Sequence, residues 1–168
     1  MTIKNLIITT VSAAMTATML IAPVYATVQN ENRLADEAET ECLALNIYYE
    51  ARSSNLADKA AVADVVINRT QDRRYPNTIC GVVQDGYKAN RKDCQFSWYC
   101  DGKSDIPQDQ DRWMEAQSIA FSMIAFGDYR GITEGATHYH ATYVDPFWAS
   151  SLQMVGRIGQ HIYYRWEN

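Results

Sequence analysis

The stretch "ALNIYYEARSSN", residues 44–55, decides how the chain begins to fold. Leu43, Ile47 and Ala51 recur at four-residue spacing and draw one apolar stripe along a helix expected over residues 40–52. Leu45, Tyr48 and Tyr49 lie on the other side, and a helix apolar on both sides is a buried one. Glu50 stands seven residues after Leu43 and three after Ile47, so two helical turns bring it onto the stripe rather than onto a solvated face. "SSN" then breaks the helix, with Ser54 or Asn55 as the cap of the next one.

Outward from that stretch, Leu56, Ala60, Ala63 and Ile67 share a helical face, and Val62, Val65 and Val66 widen it, predicting a second helix over residues 56–69. "DRRYPNT", residues 72–78, ends it, because Pro76 has no amide to donate. "NTICGVVQDG" predicts a helical turn or two closing at Gly86, and residues 87–106 read as loop or short irregular strands. A third long helix fits between Pro107 and Gly127, with Trp113, Gln117, Ala120 and Ile124 as its stripe, supported by Phe121 and Met123. The tail, "ATHYHATYVDPFW" and "GRIGQHIYYRW", is aromatic and β-branched and is punctuated by Gly and Pro, so it reads as extended segments. The expected class is α+β, mainly helical, with a short sheet or irregular aromatic lobe.

The ends of the chain add context. Lys4, an uncharged run from Leu6 to about Val24 and the small residue Ala26 predict a secretory signal peptide over residues 1–26. Residues 27–39 read as a flexible acidic arm, and 40–168 as one domain. A formal net charge of −5 argues against nucleic acid, which wants a basic stripe. It also means that any anionic polymer must be held by short-range contacts. No stretch after the leader is long and apolar enough to span a bilayer, so an exported, periplasmic or secreted protein is expected, acting as a monomer. The four cysteines, Cys42, Cys80, Cys94 and Cys100, suit such a compartment as two disulfides. Of the three pairings, the favoured one joins Cys94 to Cys100 across a short loop and Cys42 to Cys80, whose longer loop is worth about 3–4 kcal/mol in the chain-entropy model.

Burial on the stripe and the helix C-terminus both disfavour a charge on Glu50, so its pKa should rise. Asn46, one turn earlier, is within hydrogen-bonding reach, whereas the offset of Arg52 points it elsewhere. A carboxylic acid that keeps its proton near neutral pH is the group a glycosidic bond needs as general acid. The rival reading is a glutamate paired with a buried arginine or exposed at the helix end.

Six segments in this order, "ALNIYYEAR", "AVADVVINR", "YPNTICGVV", "CQFSWYCDG", "GATHYHATYVDPFW" and "IGQHIYYR", together resemble the cell wall hydrolase family typified by the spore cortex-lytic enzyme. The likeness runs from Glu41 to Arg165. It implies a lysozyme-like fold that cuts peptidoglycan glycan strands between N-acetylmuramic acid and N-acetylglucosamine, as a lytic transglycosylase. It also implies that Glu50, the glutamate of the family's "EAR" motif, is catalytic. The chain departs from the spore enzyme in lacking a separate peptidoglycan-binding module, so a germination role is not implied. Gln95, Phe96, Ser97, Trp98, Thr137, Tyr139, His140, Tyr143 and Trp148 are expected to line the groove, amides and hydroxyls meeting acetamido groups and rings stacking on pyranoses.

The rivals are concrete. A hydrolytic muramidase needs a second carboxylate, for which Asp85, Asp93, Asp101 and Glu134 are the candidates. His138, His140 and His161 suggest a metal triad, but no nearby acid or cysteine has ligand spacing, so neither metal nor cofactor is expected. Outside enzymes, the same fold can serve as a non-catalytic wall-binding domain.

Overall fold

The computed structural model describes residues 33, 36–88, 91–92 and 94–167. The expected signal segment and most of the arm lie outside them. Contacts divide the chain into Met1–Glu37 and Ala38–Asn168. In the first unit Arg33 pairs with Glu37. The second carries the fold and is described from here on.

Helix α1 spans residues 36–51, beginning four residues ahead of the expected start at Thr40. The early start has a physical use. Glu39 accepts hydrogen bonds from the amides of Ile79 and Cys80, the otherwise unpaired donors at the start of a later helix. Leu43, Ala44, Ile47, Tyr48 and Ala51 are buried, as the stripe required. The buried Tyr48 hydroxyl accepts the amides of Gln108 and Asp109 at 3.1 and 3.0 Å, which ties α1 to the start of the third long helix.

Helix α2, Leu56–Thr70, is capped by Asn55, whose side chain accepts from the amide of Asp58. Every residue from Ala60 to Ile67 is buried, while Leu56, assigned to the stripe, is 45% exposed in the first turn. Helix α3, Ile79–Val83, is capped by Thr78 and is held to α1 by the Cys42–Cys80 disulfide. A short hairpin follows, Tyr87–Lys88 (β1) paired with Arg91–Lys92 (β2). A 3-10 turn, Ser97–Cys100, closes the Cys94–Cys100 disulfide.

Helix α4, Gln110–Ala125, is capped by Asp109, which accepts from the amide of Arg112 at 3.2 Å. Its buried face is Ala116, Ile119, Ala120 and Met123. Trp113, Gln117 and Ile124 sit half-buried at the edge of that face, and Phe121 is 55% exposed against Phe126. The period of the sequence pattern holds here, but its phase is set by small residues that let the helix approach α2 rather than by the bulky aromatics.

The tail forms a three-stranded antiparallel sheet of His138–Ala141 (β3), Gln153–Ile158 (β4) and His161–Arg165 (β5), in the order β3-β5-β4. The α+β class, mainly helical with a short sheet, is therefore the observed one. Register pairs Tyr139 with Tyr163 and Ala141 with His161. Because side chains alternate across a strand, Tyr139, His161 and Tyr163 share one face, and His138, His140 and Tyr164 share the other. Tyr163 packs with Ala61, Val65 and Ala136 into a small core between α2 and the sheet. The larger core fills the space between α1, α2, α3 and α4.

Candidate active site

Helix α2 carries the polar anchors that place the sheet. Asp64 is buried and accepts from the amides of Gly131 and Thr133 at 3.0 and 3.1 Å, from the Thr133 hydroxyl at 2.6 Å and from Arg130 Nε at 3.1 Å. Asn68 donates to the Ala136 carbonyl at 3.0 Å, and Arg69 Nε to the Thr137 carbonyl at 2.8 Å. One turn and a half of helix thus fixes the chain entering β3. At the other end of α2, the fully buried Asp58 accepts from the Gln160 amide at 3.1 Å, His161 Nδ1 at 2.7 Å and the Tyr163 hydroxyl at 3.2 Å. Burial alone would push the Asp58 carboxyl up, but the bonds from His161, Ser54 and Gln160 outweigh it and hold the group below the usual carboxylate range.

With the entry to β3 and the start of β5 anchored to α2, Tyr139 reaches α1. Its hydroxyl donates to Glu50 Oε2 at 3.1 Å, joining residues 89 apart in sequence. Burial, then the charge of Glu50, raises the phenol far above the ordinary tyrosine value, so it remains a donor. Burial pushes the Glu50 carboxyl up as well. The Tyr139 hydrogen bond and the charges of His161 and Arg69 oppose that rise without cancelling it. Asn46 has no part in this. Its Oδ1 accepts from Trp98 Nε1 at 3.4 Å and its Nδ2 has no partner, so the expected Asn46–Glu50 hydrogen bond is not made.

Glu50 opens on a cavity of about 230 Å³ lined also by Tyr49, Arg52, Ser54, Ala141, Tyr143, Gln160 and His161. Among the described residues it is the only carboxylate lining that cavity. A larger hollow, about 540 Å³, lies at the C-terminal end of α2 beside Asp72, Arg73, Arg74 and Glu167. There Arg74 is already paired with Asp72. Chemistry rather than size therefore selects the smaller cavity, where an acid whose pKa is raised by burial meets open space.

The residues expected along the groove divide. Tyr139 bonds Glu50, and Tyr143, 84% exposed, stands at the cavity rim. Gln95 and Ser97 are exposed within the Cys94–Cys100 loop, flanking the buried Phe96, and neither lines the Glu50 cavity. Trp98 is buried and stacks on Tyr49 at 4.8 Å, so Tyr49 presents the aromatic surface to the cavity and Trp98 backs it. Thr137 is buried, its hydroxyl 3.0 Å from His138 Nδ1. His140 and Trp148 lie on the sheet face away from Tyr139, their rings 5.6 Å apart, with His140 Nε2 bonded to the Tyr164 hydroxyl at 2.9 Å. His138 shares that face, and burial pushes its pKa down to about 4. The three histidines therefore do not converge: His161 is on the opposite face, bonded to Asp58.

Of the candidate second carboxylates, Asp93 is outside the described residues. Asp85 accepts its neighbour Gly86's amide, Asp101 pairs with Lys103, and none of Asp85, Asp101 and Glu134 lines the Glu50 cavity. The sequence pattern did not point to Asp58, Arg69 or Tyr49 as residues of the site. A charge inside "NLADKAAVADVVINR" was the available signal, since an acid or arginine on the buried side of a helix must have partners.

The chain belongs to the cell wall hydrolase family, whose profile matches residues 53–164. By that membership it is an enzyme of cell wall cleavage. Glu50 stands just ahead of the matched span, and its partners Tyr139 and His161 lie within it. No curated protein matches the chain. Among solved structures, the catalytic domain of the Bacillus cereus SleB protein is similar with a TM-score of 0.59 and 22% identity, over 77% of this chain and 91% of that one. The catalytic domain of the germination-specific lytic transglycosylase SleB from Bacillus anthracis is similar with a TM-score of 0.57 and 22% identity, over 76% and 93%. These likenesses are of fold.

Proposed function

We propose that this enzyme cleaves the glycan strands of peptidoglycan between N-acetylmuramic acid and N-acetylglucosamine as a lytic transglycosylase, with Glu50 as acid and then base. The observation that carries the reading is a single glutamate, its pKa raised by burial and its carboxyl held by a tyrosine donor, as the one described carboxylate lining the cavity. A two-carboxylate hydrolase needs a second acid across the bond, and a transglycosylase needs one acid only. One of the two structural relatives is a lytic transglycosylase, which agrees.

In this mechanism Oε2 of Glu50 is engaged by the Tyr139 hydroxyl. A carbonyl oxygen accepts better than a protonated one, so the acid proton sits on Oε1. That proton passes to the glycosidic oxygen as the bond to C1 breaks, and the bonding pair leaves with the N-acetylglucosamine oxygen. The substrate's own acetamido group stabilises the positive charge at C1. The C6 hydroxyl then closes on C1 and returns its proton to the Glu50 carboxylate. The product carries a 1,6-anhydro ring, no water is consumed and Glu50 is reset. No step uses a metal, so exhaustive chelation should leave turnover unchanged, and loss restored by zinc would overturn that part.

The net charge of −5 fits a substrate held at short range by Tyr49, Tyr143 and backbone groups rather than by long-range attraction. The family's substrate lies outside the cytoplasm, and no helix among the described residues is long and apolar enough to cross a membrane. A cleaved signal peptide over residues 1–26, a periplasmic or secreted location, a monomeric state and a peptidoglycan-cleaving domain over 40–168 complete the proposal. Mass spectrometry of the products from purified peptidoglycan tests it. Muropeptides with 1,6-anhydro ends are expected. Reducing ends would assign a muramidase instead, and intact glycan would leave only wall binding.

A further inference from the structure

We infer that Asp58 and His161 form a positioning pair that acts through Tyr139 to hold the Glu50 carboxyl in its reactive orientation. The inference rests on the reading of Glu50 as the catalytic acid and adds to it the residues that aim that acid.

The geometry is a chain of contacts from the buried end of α2 to the cavity. Asp58 is fully buried and ionised, so it can only accept. His161 Nδ1, at 2.7 Å, must therefore carry the hydrogen of that bond, which fixes the plane of the ring. The imidazole so fixed meets the Tyr139 ring edge to face, with centroids 5.2 Å apart and planes at 82°. Tyr163, also bonded to Asp58, packs on Tyr139 from another direction at 5.7 Å. The phenol is thus confined by two rings that answer to one carboxylate, and its hydroxyl ends on Glu50 Oε2.

The backbone reinforces the clamp. Gly159 has φ +57°, and a Cβ there would fall 2.6 Å from Asp58 Cβ and Cγ. The β4–β5 turn therefore lies directly on the carboxylate, and only glycine permits it. Arg165, at the far end of the same strand, is committed to Gln153 and the Glu134 carbonyl. Strand β5 is pinned at both ends, and His161 has little freedom to turn away.

The charged and titratable groups around Glu50 are Tyr139 on β3, His161 on β5, Arg69 on α2, Tyr49 on its own helix and Arg52 just past that helix's end, with Tyr143 at the rim. Around His161 they are Asp58, Glu50, Tyr139 and Tyr163. Removing the imidazole takes away a group that favours the ionised form of Glu50 and loosens the tyrosine that does the same.

The test uses the exported full chain and the variants H161Q, D58N, Y139F and the H161Q/Y139F pair. It combines peptidoglycan turnover with carbon-13 NMR titration of carboxyl-labelled glutamate, the Glu50 resonance being assigned by its loss in E50Q. H161Q is expected to lower kcat about 10- to 100-fold with KM little changed, as misplacement of a catalytic group does. The Glu50 titration should move to higher pH. In the Y139F background the further effect of H161Q on kcat should shrink to within about twofold, because a residue acting through Tyr139 has nothing left to act on. A purely structural role predicts neither the titration shift nor the lost additivity. Wild-type kcat and titration in a folded H161Q protein overturn the inference, and so do fully additive effects in the double variant. Should D58N fail to fold, the H161Q and Y139F cycle decides alone. If the wild type releases no muropeptides, the catalytic reading fails, while the titration still tests the pair.

Discussion

The Tyr139 hydroxyl stands 3.1 Å from Glu50 Oε2, so the last third of the chain supplies the donor that orients an acid on the first helix. Neither residue is informative alone. A buried glutamate without a donor is a cost, and a buried tyrosine hydroxyl without an acceptor is another. Together they leave one oxygen engaged and one free to deliver a proton to the cavity.

Glu50→Gln nearly keeps the shape and removes the titrating proton. General acid catalysis contributes typically about 10²–10⁴-fold, so turnover should fall by at least that much. Folding should survive, because a neutral amide replaces an acid whose charge burial already disfavours. Assay of glycan release beside a thermal melt checks both, and a folded variant with wild-type turnover would end the assignment.

The pH dependence follows from the raised Glu50 carboxyl. An acid catalyst is lost as pH rises through its folded pKa, so the alkaline limb of kcat should lie above the ordinary glutamate range. The Tyr139 bond lowers that pKa, so Tyr139→Phe should carry the limb to still higher pH while reducing kcat. For stability the sign is that of any group whose folded pKa is raised. Glu50's contribution is fully present below the unfolded pKa and is lost as pH rises through the folded one. Wild type should thus lose more stability than Glu50→Gln across that window. A limb that moves down in Tyr139→Phe would contradict the hydrogen-bond account.

Cys42 and Cys80 are 38 residues apart and join α1 to α3 with Cα atoms 5.2 Å apart. In the chain-entropy model that loop is worth about 4 kcal/mol. The double serine variant should lose roughly this amount in denaturant unfolding. Free thiols on all four cysteines in protein recovered from the periplasm would remove both the effect and the compartment argument.

Gly159→Ala should destabilise by more than about 1 kcal/mol, from the left-handed backbone and from contact with Asp58 together. Gly131→Ala, with φ +79° and open space around it, isolates the backbone part. Equal melting temperatures in the two variants would show that the contact with Asp58 carries no weight.

Much of the helical frame was legible because periodicity reports burial. Leu43, Ile47 and Ala51 face inward, and Asn55 and Gly127 bound their helices as a cap and a stop do. The phase of α4 was harder to read, since Trp113 and Phe121 look like core and only packing shows that Ala116 and Ile119 join Ala120 at the centre. The site was half legible. Glu50 on an apolar stripe announced itself, and Tyr139 followed from the motif resemblance. Trp98, His140 and Trp148 were expected along the groove; Trp98 bonds Asn46, and His140 and Trp148 pack with Tyr164. Asp58 and His161 are far apart in sequence with no shared period, so only the β4–β5 turn folding over α2 brings them together.

The distance of 89 residues between Glu50 and Tyr139 has a consequence in time. A chain synthesised amino end first delivers Glu50 early and Tyr139 and His161 much later, since β3 and β5 follow all the helices named above. Until those strands dock, the acid has neither tyrosine nor imidazole beside it. On the proposed reading, an enzyme synthesised in this order should cut no glycan until β5 has docked, and a chain broken off before residue 161 should stay inactive.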